Sequence, residues 1–274
     1  MFREKSVRIA AWVICTTMAF FTVLPFVWIL ATAFETPAEI NLWPPALLPS
    51  QPTLENFHRI LHDAAFPRYI LNSLIISLGS TASILLTSSL AGFVFAKYKF
   101  PLRGPLFMLI LASAIIPLEA YMIPLYIMVF KAHMLNTYGA LIFPMTIMTF
   151  GVFFMRQVIM AIPDELLEAA RIDGASEFWI YARLVLYLSK SGLMALGVFA
   201  FSEAWANFIW PLVVVSSGDM YTTELGLANY QRQFFTEYGP IAAGAVISIV
   251  PMLIVFALLR RHIMQGIATT GVKG

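Results

Sequence analysis

The chain has 274 residues, 60% of them hydrophobic and 12% charged, with a formal net charge of +2. Soluble domains are about 45–50% apolar, so a soluble globular fold is excluded, and so small a net charge does not point to nucleic-acid binding. A helix crosses a bilayer with about 20 apolar residues, and six stretches reach or approach that length: 9–34, 70–96, 105–130, 138–155, 191–215 and 241–259. The expected fold is all-α, one transmembrane domain over 1–274 with six helices.

The first apolar run, Ile9–Phe34, is longer than the h-region of a secretory signal, about 7–15 residues. It therefore reads as an uncleaved span despite the small residues Ala31 and Ala33. The lone Cys15 inside it allows no internal disulfide. Pro37, Pro44, Pro45, Pro49, Pro52 and Pro67 then predict an irregular loop over 35–69. Within that loop "LENFHRILHDA" (Leu54–Ala64) suits a short amphipathic helix. His58 and His62 stand four apart, but no glutamate completes an H-E-x-x-H pattern and Asp63 is merely adjacent, so no metal site is expected.

The second span carries Ser73, Ser77, Ser80, Thr87 and Ala91 at roughly helical spacing, with Gly79, Ser83, Ser88 and Gly92 close by. Small residues let helix backbones approach closely in lipid. Such a face serves either packing within the chain or a seam against a second membrane subunit. In the third span Glu119 lies in "IIPLEAYMIPLY" between Pro117 and Pro124, where helix geometry should break, and Tyr121 follows two residues on.

The segment 163–190 gathers charge. Pro163, Asp164 and Glu165 suit the first turn of a helix, and Gly174 suits its left-handed end. Ser176 can cap a second helix, "EFWIYARLVL". Phe178, Trp179 and Tyr181 beside Ala169 and Ala170, rimmed by charge, read as a docking knob for another protein. An amphipathic helix on the inner leaflet is the competing reading, and Asp164, Glu165, Glu168, Asp173 and Glu177 oppose it because that leaflet is itself negative.

The fifth span holds the second intramembrane acid, Glu203, in "FSEAWANFIWPL". A charge at a helix centre costs about 2.5–3.5 kcal/mol on the lenient insertion scale, so Glu119 and Glu203 should face protein or water. Aromatic faces of Trp205 and Trp210 over a sugar's C–H surface, with Glu203 and Asn207 bonding its hydroxyls, would suit carbohydrate passage. Glu119 and Tyr121 are further candidates. Interface anchoring and core packing are the plainer roles for the two tryptophans.

"EAARIDGA" (Glu168–Ala175) resembles the EAA loop of the membrane subunits of ATP-binding-cassette importers. That loop reads Glu-Ala-Ala, three residues, Gly, nine residues, then Ile-x-Leu-Pro. Glu168, Ala169, Ala170, Gly174, Leu184 and Leu186 match, while Tyr187 stands in place of the proline. "LPFVWIL", "NSLIIS", "PLRG", "WPL" and the tail "IMQGIATTGVKG" resemble carbohydrate-importer permeases of the maltose and glycerol-phosphate type. Many of those carry adjacent Trp-Asn before Trp-Pro, whereas here Ala206 separates Trp205 from Asn207.

The resemblance implies a type I importer architecture. A second permease subunit, two ATP-binding subunits (or one homodimer of them) and an extracellular substrate-binding protein would be its partners, in the cytoplasmic membrane of a bacterium or archaeon. Glu168, Ala169, Ala170, Arg171, Asp173, Gly174 and Ala175 would form the ATPase-coupling helix, with ATP and Mg held by the partners. None of the six lysines stands in a G-x-x-x-x-G-K-[ST] context, so this chain is not expected to hydrolyse ATP, nor to be an enzyme.

Orientation follows from Lys and Arg. With both termini cytoplasmic, thirteen fall inside (Arg3, Lys5, Arg8, Lys97, Lys99, Arg103, Arg156, Arg171, Arg183, Lys190, Arg260, Arg261, Lys273) and four outside (Arg59, Arg68, Lys131, Arg232). An importer for a non-sugar solute and a stand-alone secondary carrier are the alternatives. A carrier of that kind has no use for a docking loop. An intramembrane hydrolase lacks its catalytic constellation.

Overall fold

With no water in a bilayer to pair with backbone N–H and C=O groups, a long apolar run satisfies them within its own helix. The computed structural model describes the backbone of residues 2–44, 47–62, 65–233 and 238–271, and their side chains except for 2–7, 9–10, 230–233 and 261–271. Arg3, Lys5, Arg232, Arg261 and Lys273, which bear on orientation, and Asp63 beside the histidine pair lie outside the described side chains.

Every regular element among the described residues is helical. The chain opens with α1 (Phe2–Ala33), α2 (Pro37–Ile40), α3 (Glu55–His62) and α4 (Phe66–Lys97). It continues with α5 (Arg103–Ser113), α6 (Leu118–Lys131), α7 (Tyr138–Ile142), a 3-10 turn at Phe143–Met145 and α8 (Thr149–Met160). Next come α9 (Asp164–Ile172), α10 (Glu177–Trp179), a π segment at Ile180–Val185, α11 (Leu186–Leu188), α12 (Lys190–Trp205) and α13 (Ile209–Val214). A 3-10 turn at Gly218–Met220, α14 (Thr223–Gln233) and α15 (Tyr238–Gly271) complete it.

Three helices are long and apolar enough to cross a membrane unbroken, at Ala11–Ala33, Phe66–Lys97 and Tyr238–Arg260. Three further pairs qualify only as bent units: α5 with α6 (95°), α7 and its 3-10 turn with α8 (50°), and the helical run Glu177–Leu188 with α12 (79°). The break near Pro117 falls where the sequence analysis expected one, whereas 138–155 and 191–215 read as continuous spans and both break. Pro117 excludes helical geometry at the residue before it and stands at the N-cap of α6. Pro211 has no N–H and its ring would clash with the Asn207 carbonyl in a continuous helix. The chain therefore stops at Trp205 and restarts at Ile209. Ser189 stands at the 79° bend. Its hydroxyl donates back to the Val185 carbonyl at 2.7 Å, a bond that bends helices.

The chain packs as two compact units, Met1–Pro67 with Gly226–Val250, and Arg68–Leu225 with Pro251–Gly274, where the sequence suggested one domain. In the first, the amphipathic helix expected from Leu54 is α3, with Asn56 and Ile60 buried. Asn56 Nδ2 donates to the carbonyls of Ala33 (3.1 Å) and Glu35 (2.7 Å), pinning the exit of α1. Glu39 forms a capping box with Thr36 at the start of α2. The rings of His58 and His62 stack 3.8 Å apart.

In the second unit, part of the small face of α4 packs inside the chain. Ser73, Ser77, Ser80 and Ser88 are buried, while Gly79, Ser83, Thr87 and Ala91 of the same region are half-buried. Gly151 of α8 sits against the Ser88 side chain, and a Cβ there would come within 2.4 Å of its Oγ. A Cβ on Gly92 would meet the backbone of Met155 and Arg156 at 2.9–3.0 Å. Backbone cannot step aside as a side-chain tip can. Gly92→Ala should therefore lower stability in detergent by about 1–3 kcal/mol, whereas Gly104→Ala, with nothing within 4 Å, should leave it unchanged. Equal thermal midpoints for the two variants would refute the close contact.

Candidate functional site

The loop after α8 is built by local rules. Asp164 and Glu165 occupy the first turn of α9, and Arg171 its last. Gly174 holds φ +81°, the left-handed region a side chain resists. Ser176 caps α10 by accepting from the Trp179 N–H at 3.2 Å. One face of this structure is rooted in the protein. Leu167, Ile180, Tyr181 and Val185 join Phe93, Met155, Ile159, Ile162 and Leu196 in one buried cluster. The other face is open. Ile172 is 86% and Phe178 76% exposed, and a groove of about 530 Å³ is lined by Ala170, Asp173, Gly174, Ala175, Ser176 and Trp179.

Tyr181 departs from the expected aromatic cluster. It is buried, its ring lies 5.7 Å from that of Phe93, and its hydroxyl meets Ser89 Oγ at 2.7 Å. It anchors the loop and is not offered to a partner.

Charges in the loop fall into two sets. Lys97, at the end of α4, donates to the Ile162 carbonyl and to Asp164 Oδ1 (2.6 Å). The Lys97 bond holds the Asp164 carboxyl below its ordinary range. Arg171 Nε donates to Glu177 Oε1 at 2.7 Å, and the Tyr98 hydroxyl donates to the other oxygen of the same carboxylate. Arg171, then Tyr98, pull Glu177 below its ordinary range, while burial and then Glu177 push Tyr98 up. Glu165, Glu168 and Asp173 are exposed and make no side-chain hydrogen bond or ion pair among the described residues. With Arg183, which is likewise exposed and without a side-chain hydrogen bond or ion pair among the described residues, these are the loop charges left unpaired.

The intramembrane candidates are sorted by a cavity of about 500 Å³. Glu203, Asn207, Tyr121 and Trp210 line it. So do residues the sequence did not single out: Ile84, Leu118, Met145, Met148 and Phe208. Asn207 faces it from the break between α12 and α13, its Nδ2 3.3 Å from Met145 Sδ and its Oδ1 accepting from the Trp210 N–H at 3.4 Å.

Trp210 is only 1% exposed and its Nε1 donates to the Ala140 carbonyl at 2.9 Å. Its ring is part of the wall, with no open face for a solute. Trp205 is buried, stacks on Phe201 at 5.7 Å and does not line the cavity. Glu119 is exposed in the first turn of α6 and also does not line it. A composition-based reading finds the acids and aromatics but not which side of a broken helix they take.

Residues 88–267 match the family described as the binding-protein-dependent transport system inner membrane component. The chain belongs to that family. It is similar to the arabinooligosaccharides transport system permease protein AraQ of Halalkalibacterium halodurans, with 35% identity over 99% of this chain and 100% of that protein. It also resembles the lactose transport system permease protein LacG of Rhizobium radiobacter (31% identity, 96% of each chain). The sn-glycerol-3-phosphate transport system permease protein UgpE of Escherichia coli is likewise 31% identical, over 84% of each chain. Among solved structures, a chain of a bacterial ABC transporter involved in the import of the acidic polysaccharide alginate has the same fold. The TM-score is 0.86 at 19% identity, covering 95% of this chain and 97% of that one. Membership bears out the resemblance carried by the EAA loop, and the charged loop lies inside the matched residues.

The Glu177 tether gives a pH test. Its carboxyl is lowered in the fold, so the tether is complete above the ordinary value of 4.5 and is lost as pH falls through and below it. Amide protection factors in α9 and α10, which correct for the slower intrinsic exchange at low pH, should fall on that acidification in the wild type. Glu177→Gln should exchange faster already at pH 7 and show no such step. An acid step that survives in Glu177→Gln would assign it to another group.

Proposed function

We propose that this chain is the membrane-spanning permease subunit of an ATP-driven, binding-protein-dependent carbohydrate importer, supplying half of the pathway. The observation that carries the reading is the loop from α9 to the π segment. It presents free acids and large apolar side chains outward while its inner face is part of the core of the unit. That is the form of a part that receives a push from another protein.

The relatives named for arabinooligosaccharides, lactose and sn-glycerol-3-phosphate support a di- or oligosaccharide or a glycerol-phosphate derivative as solute. The partners in this reading are a second permease, two ATP-binding subunits that hold ATP and Mg, and an extracellular binding protein. Each bent pair counts as one span, giving six, with both termini on the cytoplasmic side of a bacterial or archaeal inner membrane. The thirteen-to-four division of Lys and Arg supports that orientation.

In operation, Ile172, Phe178 and the groove beside Gly174 seat an ATPase subunit, and Glu165, Glu168 and Asp173 set its register. Closure of the ATPases displaces α9. The Lys97–Asp164 and Tyr98–Glu177 links and the Ser89–Tyr181 bond pass that displacement to α4, whose Ile84 lines the cavity. Tyr98→Phe, which removes one link and keeps the ring, should leave the ATPase bound. It should also cut the stimulation of ATP hydrolysis by loaded binding protein about fivefold. Unchanged stimulation would remove Tyr98 from the coupling route.

Two further tests address the ends of that route. Gly174→Trp puts a bulky side chain on a left-handed residue in the groove, so ATPase recovered with the wild type from mild detergent should be missing from the variant. Recovery of ATPase with neither protein, from a folded preparation, would overturn the docking reading. Glu203→Gln should reduce uptake about tenfold if its carboxylate bonds solute hydroxyls; unaltered uptake and substrate range would remove it from the pathway.

A further inference from the structure

The first compact unit contains a second cavity, of about 570 Å³, that the importer reading does not use. It is formed where α1 ends and α15 begins, with Trp28, Thr32, Glu35, Trp43, Tyr238 and Ile241 in its lining. Trp43, 90% exposed, stands at its mouth. Its position fits the boundary between hydrocarbon and water. Ala11–Ala33 is apolar enough to span, no residue of its most apolar window is buried, and Trp and Tyr collect at that boundary.

The unusual member is Glu35. It is only 4% exposed, and its Oε1 has no hydrogen-bond partner among the described residues. Its neighbour in sequence, Glu39, shows what a satisfied carboxylate looks like here. Glu39 accepts from the backbone N–H groups of Thr36, Ser50 and Gln51 and from the hydroxyls of Thr36 and Ser50. The Ser50 hydroxyl first, then the Thr36 N–H, bring it down to about 2. Burial, and then the nearby Glu39, push Glu35 the other way. A cation with hydrogens to donate, seated in the cavity that Glu35 lines, would offset both effects.

The lining selects among cations. Apart from Glu35 it offers the Thr32 hydroxyl and the polar edges of its aromatics, too few groups to satisfy a sugar. It offers indole and phenol rings that favour a cation and aliphatic walls that favour a hydrocarbon body. We infer that this cavity binds the ammonium headgroup of an ethanolamine phospholipid, with Glu35 as its anion and Trp28, Trp43 and Tyr238 around it. The lipid is a structural ligand at the exit of α1, separate from the solute cavity lined by Glu203.

The test uses the full chain, in the assembly it purifies with, placed in nanodiscs of equal parts phosphatidylethanolamine, phosphatidylcholine and phosphatidylglycerol. It is then transferred to mild detergent, and retained lipids are counted by native mass spectrometry. The wild type should retain phosphatidylethanolamine over both others, because the choline head keeps the charge but has no N–H to donate. Glu35→Gln, nearly isosteric, should lower that preference about tenfold. Ala245→Phe should lower total retention by filling the cavity while leaving the carboxylate in place. Equal phosphatidylethanolamine retention by wild type and a folded Glu35→Gln protein would overturn the inference. So would a photo-crosslinker at position 43 that captures a polypeptide in place of lipid, since a partner chain would then fill the site.

Discussion

The packing of α8 is the contact on which the larger unit depends: it lies against α12 and α5, and at two points against α4, where Gly92 meets the Met155–Arg156 backbone and Ser88 meets Gly151. In lipid, burial of apolar surface gives little drive to bring helices together, and tight packing of small residues supplies what remains. Fixed in this way, α4 reaches every part of the unit that matters for transport. At one end Asn72 donates to the carbonyls of Asp219 and Tyr221 and accepts from the Tyr138 hydroxyl, holding the segment before α14. Midway, Ile84 faces the solute cavity. Ser89, Lys97 and Tyr98 fasten the charged loop at the other end. A single helix thus runs from the charged loop to the cavity wall.

The loop separates two uses of charge. Asp164, Arg171 and Glu177 are spent inside the chain, on bonds that fix the angle between α9 and α10 and tie both to α4. Lys97 is the deeper partner of its pair, 5% exposed in its side chain, and a buried cation without its anion would be costly. Glu165, Glu168 and Asp173 have no such duty, and charges at the rim of an interface set register and on-rate more than affinity. The apolar contribution comes from Ile172 and Phe178. An inner-leaflet helix would present mainly basic groups, whereas the unpaired exposed charges here are three acids and one base, Arg183.

Much of this was legible in the sequence because it rests on local chemistry. Long apolar runs become helices, Gly174 closes one, Ser176 opens the next, and the spacing from Glu168 to Leu186 carries the family. The illegible part depends on phase and on distant partners. Phe178 and Tyr181, three apart, share a face of an α-helix. Here Phe178 is exposed and Tyr181 buried, and the π segment that starts at Ile180 changes the turn between them. The small face of α4 looks the same in sequence whether it meets α8 or another subunit. Trp205 and Trp210 have the right chemistry for a sugar, but their burial is decided by Phe201 and by the Ala140 carbonyl.

The broken helices border the Glu203 cavity. Residues 206–208 and 143–148 surround the Glu203 cavity with backbone that has left regular α-helix. Such backbone is tolerated at membrane depth only where protein or water meets its polar groups. Glu203 and Asn207 are the polar members of a wall otherwise made largely of Ile, Leu, Met, Pro and aromatic side chains. Helix α12 joins this wall to the loop, since it begins at the Ser189 bend, close after the π segment, and ends two residues beyond Glu203. Two helices thus join the loop to the cavity wall, α4 through its side-chain bonds and α12 through the chain itself. The 79° bend at Ser189 is the point where the second route changes direction.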